Sequence, residues 1–287
     1  MQRRHFLLAS AAALAPLKAA RLPIRKGIYA AMLPKDLSWA ERFKLAREVG
    51  FEEVECATAD EDPEAEQIKA ASEAAGLRVH SVMNSAHGKY PLSSADPEVV
   101  SAGLKGLETS LRNARLWGAD TVLLVPGFVN PQTGYRYCLV RSQQQIRRIL
   151  PLAEKLKVVI AIENVGNRFL LSPLEFSQYV DEFKSPWLRA YFDVGNVVRI
   201  GFPQDWIRTL GKRIVKLHLK DPVATQPRGA PPTPRAPLLE GDVDWTEVHK
   251  ALTEIGYSGS ATVELPAGDA EYLRDVSRRV DQILAGV

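Results

Sequence analysis

Four ionisable side chains fall where short apolar runs end. Glu163 closes Val158-Val159-Ile160-Ala161-Ile162-Glu163, Asp193 closes Ala190-Tyr191-Phe192-Asp193, His218 lies in Val215-Lys216-Leu217-His218-Leu219, and Glu264 closes Ala261-Thr262-Val263-Glu264. A lone strand-end acid commonly caps the next helix or pairs with a nearby lysine. Four such groups on four successive runs ask for more. A carboxylate withdrawn from water is costly unless it is paired or bound to a metal, so three carboxylates and an imidazole gathered at one place need a counter-charge. One divalent cation supplies it. Oxygen-dominated coordination with one imidazole suits Mn2+, Mg2+ or Co2+ better than a structural Zn2+ site, and Zn2+ remains compatible.

These groups converge only if the runs that carry them lie side by side with like ends together. Eight rounds of apolar run and amphipathic stretch follow residue 20. The expected strands are Gly27–Leu33, Glu53–Ala57, Arg78–Asn84, Thr121–Val125, Val158–Glu163, Arg189–Asp193, Ile214–Leu219 and Ala261–Leu265. Between them, Trp39–Val49 carries apolar residues at 39, 40, 43, 45, 46 and 49, a spacing that lines one helix face. Gly50, Gly76, Gly118 and Gly256 each stand between a helix and the next strand, where a left-handed C-cap belongs. Strict alternation with such stops predicts a parallel sheet wrapped by helices, and eight units predict closure into a single (β/α)8 TIM barrel over residues 21–287. Two connections are long, Ser85–Pro97 after the third strand and Asp221–Asp242 after the seventh. The second holds five prolines within Pro227–Pro237, with Arg228 and Arg235 among them, and is expected to be stiff and extended. Loops after barrel strands surround the mouth, so both are candidates for a lid or a specificity wall, and an oligomer contact there leaves homo-oligomerisation open.

The 287 residues, 46% apolar and 25% charged, fit one large globular barrel. Residues 1–20 differ from the rest. Arg3-Arg4-His5-Phe6-Leu7-Leu8 opens an alanine-rich apolar run with the form of a twin-arginine export signal, which implies the Tat machinery as a partner and a periplasmic or exported location. Uncleaved, it would serve as a weak membrane anchor. This segment holds Arg3, Arg4 and Lys18 and no acid, so taking those three from the 37 basic residues leaves 34 against 34 acidic ones. A neutral body gives no basic stripe for phosphates, and no nucleic-acid partner is expected. Two cysteines, Cys56 and Cys138, cannot build a disulfide framework or a cysteine zinc site.

Ile162-Glu163-Asn164, Phe192-Asp193-Val194-Gly195-Asn196, His218-Leu219-Lys220-Asp221, Gly241-Asp242-Val243-Asp244-Trp245 and Gly256-Tyr257-Ser258-Gly259 with Val263-Glu264 occur in this order. As a set they resemble the xylose-isomerase-like TIM-barrel superfamily, over about residues 26–285. That superfamily includes ketose 3-epimerases, hydroxypyruvate isomerase, inosose dehydratase and endonuclease IV. The resemblance implies a shared cation held by Glu163, Asp193, His218 and Glu264, with the two glutamates also acting as the proton-transfer pair. In physical terms the cation would stabilise the charge that builds on a keto-sugar when a carbon-bound proton leaves, and the enediolate would be reprotonated on its other face or at the adjacent carbon.

Glu55 at the end of the second strand, His80 and Asn84 on the third, and His87 just beyond are expected to contact sugar hydroxyls, His80 and Asn84 sharing a face by alternation. Asn196 stands where ketose 3-epimerases carry a substrate-contacting histidine, and is included in the same expected set. A lyase or dehydratase would use the same enediolate to expel a β-substituent. Endonuclease IV needs three metals and further histidines, whereas His5 lies in the leader and His249 in a helix, leaving only His80, His87 and His218 for a barrel mouth. A sugar-binding barrel without catalysis has no need of two proton-transfer glutamates. An exported enzyme meets few phosphorylated sugars, so an unphosphorylated keto-sugar or sugar derivative is the expected substrate.

Overall fold

The computed structural model describes residues 21–223 and 236–287. The segment read as a twin-arginine export signal, together with Arg228, Arg235 and most of the proline run, lies outside the described residues. Eight strands, β1 (Arg25–Tyr29), β2 (Glu53–Ala57), β3 (Arg78–Met83), β4 (Thr121–Leu124), β5 (Val159–Glu163), β6 (Leu188–Asp193), β7 (Ile214–Leu219) and β8 (Ser260–Val263), pair in sequence order as a closed barrel. All pairs are parallel, and β8 closes on β1 through Arg25 opposite Ser260 and Ile28 opposite Val263. Eight helices wrap it: α1 (Trp39–Glu48), α2 (Asp62–Ala75), α3 (Pro97–Trp117), α4 (Tyr135–Leu156), α5 (Pro173–Asp181), α6 (Pro203–Leu210), α7 (Trp245–Glu254) and α8 (Ala270–Ala285).

Local chemistry sets the helix ends. Ser38 and Glu41 form a reciprocal capping box on α1, and Asp96, Ser172, Asp244 and Asp269 accept from first-turn amides of α3, α5, α7 and α8. The four glycines expected at helix stops all have positive φ. Each helix contributes a buried apolar anchor, in order Phe43, Ile68, Leu107, Ile146, Phe176, Ile207, Val248 and Val280, to one core cluster shared with Ile28, Val54, Val122, Ile160, Phe192 and Val263 of the strands. Burial of each such side chain contributes about 1.5–3 kcal/mol. Inside the barrel a smaller layer of Leu123, Ala161 and Tyr191 fills the axis.

Several strand ends shift by a residue or two from the sequence expectation, β8 running Ser260–Val263 so that Glu264 lies just beyond it, and two strands differ more. β1 starts at Arg25 and gives way after Tyr29 to a 3-10 turn, Ala30–Met32, where extended structure to Leu33 was expected. In β3, Val79 pairs with Val54 but Ser81 pairs with Glu55, so His80 is a bulge. A bulge adds one residue and reverses the alternation beyond it. His80 and Ser81 therefore both point into the barrel, and Gly27 makes room, since a Cβ there would lie 3.0 Å from His80 Nε2.

Asp221, one residue beyond Lys220 on the exit of β7, holds the far side of the long connection. Its carboxylate accepts from Leu239 N at 2.7 Å, Val243 N at 3.1 Å and Trp245 Nε1 at 2.8 Å. Asp221 also bridges Ala236, and Asp242 N donates to Pro222 O. Cys56 and Cys138 are buried free thiols.

Candidate metal centre

Glu163, Asp193, His218 and Glu264 meet at the C-terminal mouth, each offering a ligand atom within 4.8 Å of the others. Strand register assembles them. Asp193 lies opposite His218, Glu163 opposite Tyr191, and Glu264 follows β8 with its amide donating to Leu219 O. His218 Nδ1 points into the group, 2.9 Å from Glu163 Oε1, 3.4 Å from Glu264 Oε2 and 3.9 Å from Asp193 Oδ2. Asp193 and His218 have no accessible surface, whereas the Glu264 side chain is 20% exposed and opens toward the mouth. Two asparagines lock the strand ends. Asn164 Oδ1 accepts from Asp193 N at 2.9 Å and its Nδ2 donates to Asp193 O at 2.8 Å, while Asn196 Nδ2 donates to Asn164 O at 2.9 Å.

Lys220 completes the charge distribution, its Nζ 2.6 Å from Asp193 Oδ2 and 2.5 Å from Glu264 Oε2. Gly195 permits this approach, because a Cβ there would stand 2.8 Å from Lys220 Cβ. Burial works against the ammonium, yet Asp193, Glu163 and Glu264 hold its pKa above the usual lysine value. Burial likewise opposes charge on His218, but Glu55 and Glu163 hold the imidazole well above its ordinary range. For Glu163 burial prevails and raises the carboxyl, against the pull of His218 and Lys220. Counting Glu55, four carboxylates face two cationic side chains, and the oxygen-rich donor set with one imidazole fits a single divalent cation.

The expected sugar contacts divide. Glu55 has no accessible surface and its carboxylate is taken up by His218, Ser81 and Tyr191, so it stands behind the histidine and not in the mouth. His80 is equally enclosed, with Nε2 2.8 Å from Thr262 Oγ1, deep in the barrel. Asn84, its parity reversed by the bulge, accepts from Ala86 N and from Ser110 Oγ of α3. Asn196 is the latch described above, its side-chain amide turned to Asn164 O. These four are structural neighbours of the site. His87 alone remains placed for a ligand: it is partly exposed, its Nδ1 accepts from Val125 N at 3.3 Å, and burial lowers its pKa to about 4 against the raising influence of Glu264. The neutral ring therefore carries its proton on Nε2. Lys220 was missed although the signal was present, since period-two alternation puts it on the face of His218.

The fold is a closed parallel barrel that brings an acid, acid, histidine, acid set from the ends of β5, β6 and β7 and from just beyond β8 to one mouth, a set that could hold a metal ion. The family model for the xylose isomerase-like TIM barrel matches residues 43–282, and the chain belongs to that family. Among curated relatives, SgbU of Escherichia coli (strain K12), provisionally named an L-ribulose-5-phosphate 3-epimerase, is 30% identical over 252 residues, covering 83% of this chain and 87% of SgbU. The L-ribulose-5-phosphate 3-epimerase UlaE of Escherichia coli (strain K12 / DH10B) is 27% identical over 267 residues, covering 87% of this chain and 92% of UlaE. Among solved structures, a D-tagatose 3-epimerase-like protein superposes with a TM-score of 0.76 at 17% identity, covering 90% of this chain and 94% of that one.

Proposed function

We propose that this chain is a metal-dependent epimerase or isomerase of an unphosphorylated keto-sugar or sugar derivative, with Glu163 and Glu264 as the proton-transfer pair. Its curated relatives bear the names of sugar 3-epimerases, which supports an enzyme of the isomerase and epimerase class. The observation that carries the two-base reading is the pair of glutamates flanking one imidazole nitrogen, at 2.9 and 3.4 Å, from β5 and from beyond β8. They approach a bound sugar from different sides of the mouth. Glu163 is enclosed, and burial raises its carboxyl above the usual carboxylate value; Glu264 is partly exposed on the side of the mouth from which a substrate would enter. A divalent cation held by Glu163, Asp193, His218 and Glu264 would supply positive charge beside the oxygen on which negative charge builds. His87 offers its Nε2–H to a sugar hydroxyl, and Lys220 balances the carboxylates.

The relatives' names specify a 5-phosphate, and the choice of an unphosphorylated substrate here rests on the Arg3-Arg4 leader and the export it implies. The test is NMR of metal-loaded protein incubated in deuterated water with keto-sugars, 3-keto-glycosides, inososes and pentulose 5-phosphates. Deuterium entering a carbon next to the carbonyl of an unphosphorylated substrate is expected. An elimination product would reassign the enzyme as a lyase, turnover confined to the phosphates would overturn the substrate class, and no exchange across the panel would overturn the enolisation chemistry.

A further inference from the structure

His218 presents its two nitrogens to different worlds. Nδ1 faces Glu163, Glu264 and Asp193, while Nε2, on the far side of the ring, lies 2.8 Å from Glu55 Oε1. The second oxygen of Glu55 accepts from Tyr191 OH at 2.8 Å and from Ser81 Oγ. Tyr191 also lays its ring against the imidazole, centroids 4.5 Å apart. The three partners of Glu55 thus come from β3, β6 and β7, and Ser81 faces inward only because of the bulge at His80. A fully enclosed carboxylate is an expensive way to fill a barrel axis that Leu123 and Ala161 fill with hydrocarbon a layer away.

We propose that Glu55 is a positioning residue for the metal centre: clamped by Ser81 and Tyr191, it accepts the Nε2–H of His218, fixes the tautomer that leaves the Nδ1 lone pair to a cation, and strengthens the imidazole as a ligand. A metal-bound imidazole donates its other N–H to a carboxylate or carbonyl as a rule, and the partner both orients the ring and raises its basicity. Ser81 and Tyr191 turn that pairing into a rigid support, because a carboxylate with three donors has one rotamer that satisfies all of them. The simpler alternative is an ion pair that merely staples β2 to β7.

This inference rests on the proposed metal site, so its test reads metal binding and not turnover. Full-length protein stripped with a chelator is titrated calorimetrically with Mn2+, and the melting temperature of each metal-free variant is recorded beside it. Glu55→Gln is expected to weaken Mn2+ binding about 10- to 100-fold, and Tyr191→Phe to weaken it less in the same direction. In 15N-histidine-labelled protein loaded with diamagnetic Zn2+, His218 is expected to carry its proton on Nε2. Wild-type Mn2+ affinity in a folded Glu55→Gln protein overturns the proposal, as does a Zn2+-loaded His218 protonated on Nδ1. If Glu55→Gln fails to fold, unchanged affinity in Tyr191→Phe and Ser81→Ala overturns it equally. A lowered melting temperature with unchanged affinity would make Glu55 a staple. Absence of Mn2+ binding by the wild-type chain is a different failure, and would remove the metal reading itself.

Discussion

Lys220 Nζ lies 2.6 Å from Asp193 Oδ2, an ion pair made inside the candidate ligand set and not around it. Part of the counter-charge that the carboxylates demand is therefore built into the chain, on the residue that alternation places next inward after His218. Removing one partner of a buried pair leaves the other uncompensated. Lys220→Met is expected to destabilise the metal-free protein by about 3–5 kcal/mol, with saturating Mn2+ restoring part of the loss. Urea unfolding with and without chelator measures both quantities, and equal stability of variant and wild type in chelator would show that the pair carries no weight.

Asp193→Ala and His218→Ala each delete a proposed ligand from the interior of the set. Elemental analysis of the purified proteins is expected to fall from about one divalent ion per chain to a small fraction, on the scale of second-partner losses of 10- to 100-fold in affinity or more. Full occupancy in both variants would place the ion elsewhere.

Glutamine keeps the size and one oxygen of a glutamate and removes the proton acceptor. Glu163→Gln and Glu264→Gln are each expected to lose about a hundredfold or more in deuterium exchange, the scale of general acid–base catalysis. Excess metal separates the two roles: exchange that returns to the wild-type rate in either variant would make that glutamate a ligand only.

His87 links pH to stability. Its folded pKa is about 4, below the roughly 6.5 of an unfolded histidine, so between these values the unfolded chain binds more protons and stability rises with pH. The contribution is intact above about 6.5 and is lost as pH falls toward 4. His87→Gln is expected to flatten the pH dependence of unfolding free energy in that window by up to about one proton. Urea denaturation at stepped pH reads the slope, and parallel curves would mean that His87 titrates normally.

Export is testable on the leader alone. Replacing Arg3 and Arg4 with lysine is expected to leave the folded protein inside the cell, and cell fractionation followed by immunoblotting reports it. An unchanged distribution would dismiss the twin-arginine route.

The barrel was legible because each unit repeats an apolar run and an amphipathic helix, and most helices stop at a glycine with positive φ. The four ligand candidates were legible because a charged group closing an apolar run is conspicuous. What escaped depended on register. The bulge at His80 has no local marker, and without it the parity of Asn84 and Ser81 cannot be assigned. Glu55 looked like another strand-end acid at the mouth; only the pairing of β2 with β3 and the reach of Tyr191 across the axis show it beneath His218. Asn196 is a latch because the chain turns back after Asp193 through Gly195, a path that three residues of spacing do not specify.

The carboxylate of Asp221 gathers Leu239, Val243 and Trp245, and the backbone bridge to Ala236 brings the two stems of the long β7–α7 connection together at its root. Once the stems are joined, the cost of the chain between them grows only slowly with its length, by about 0.6 kcal/mol for each doubling. The joined stems, residues 221–223 and 236–245, thus form a socket anchored to the barrel by Asp221, independent of the length of chain that joins them.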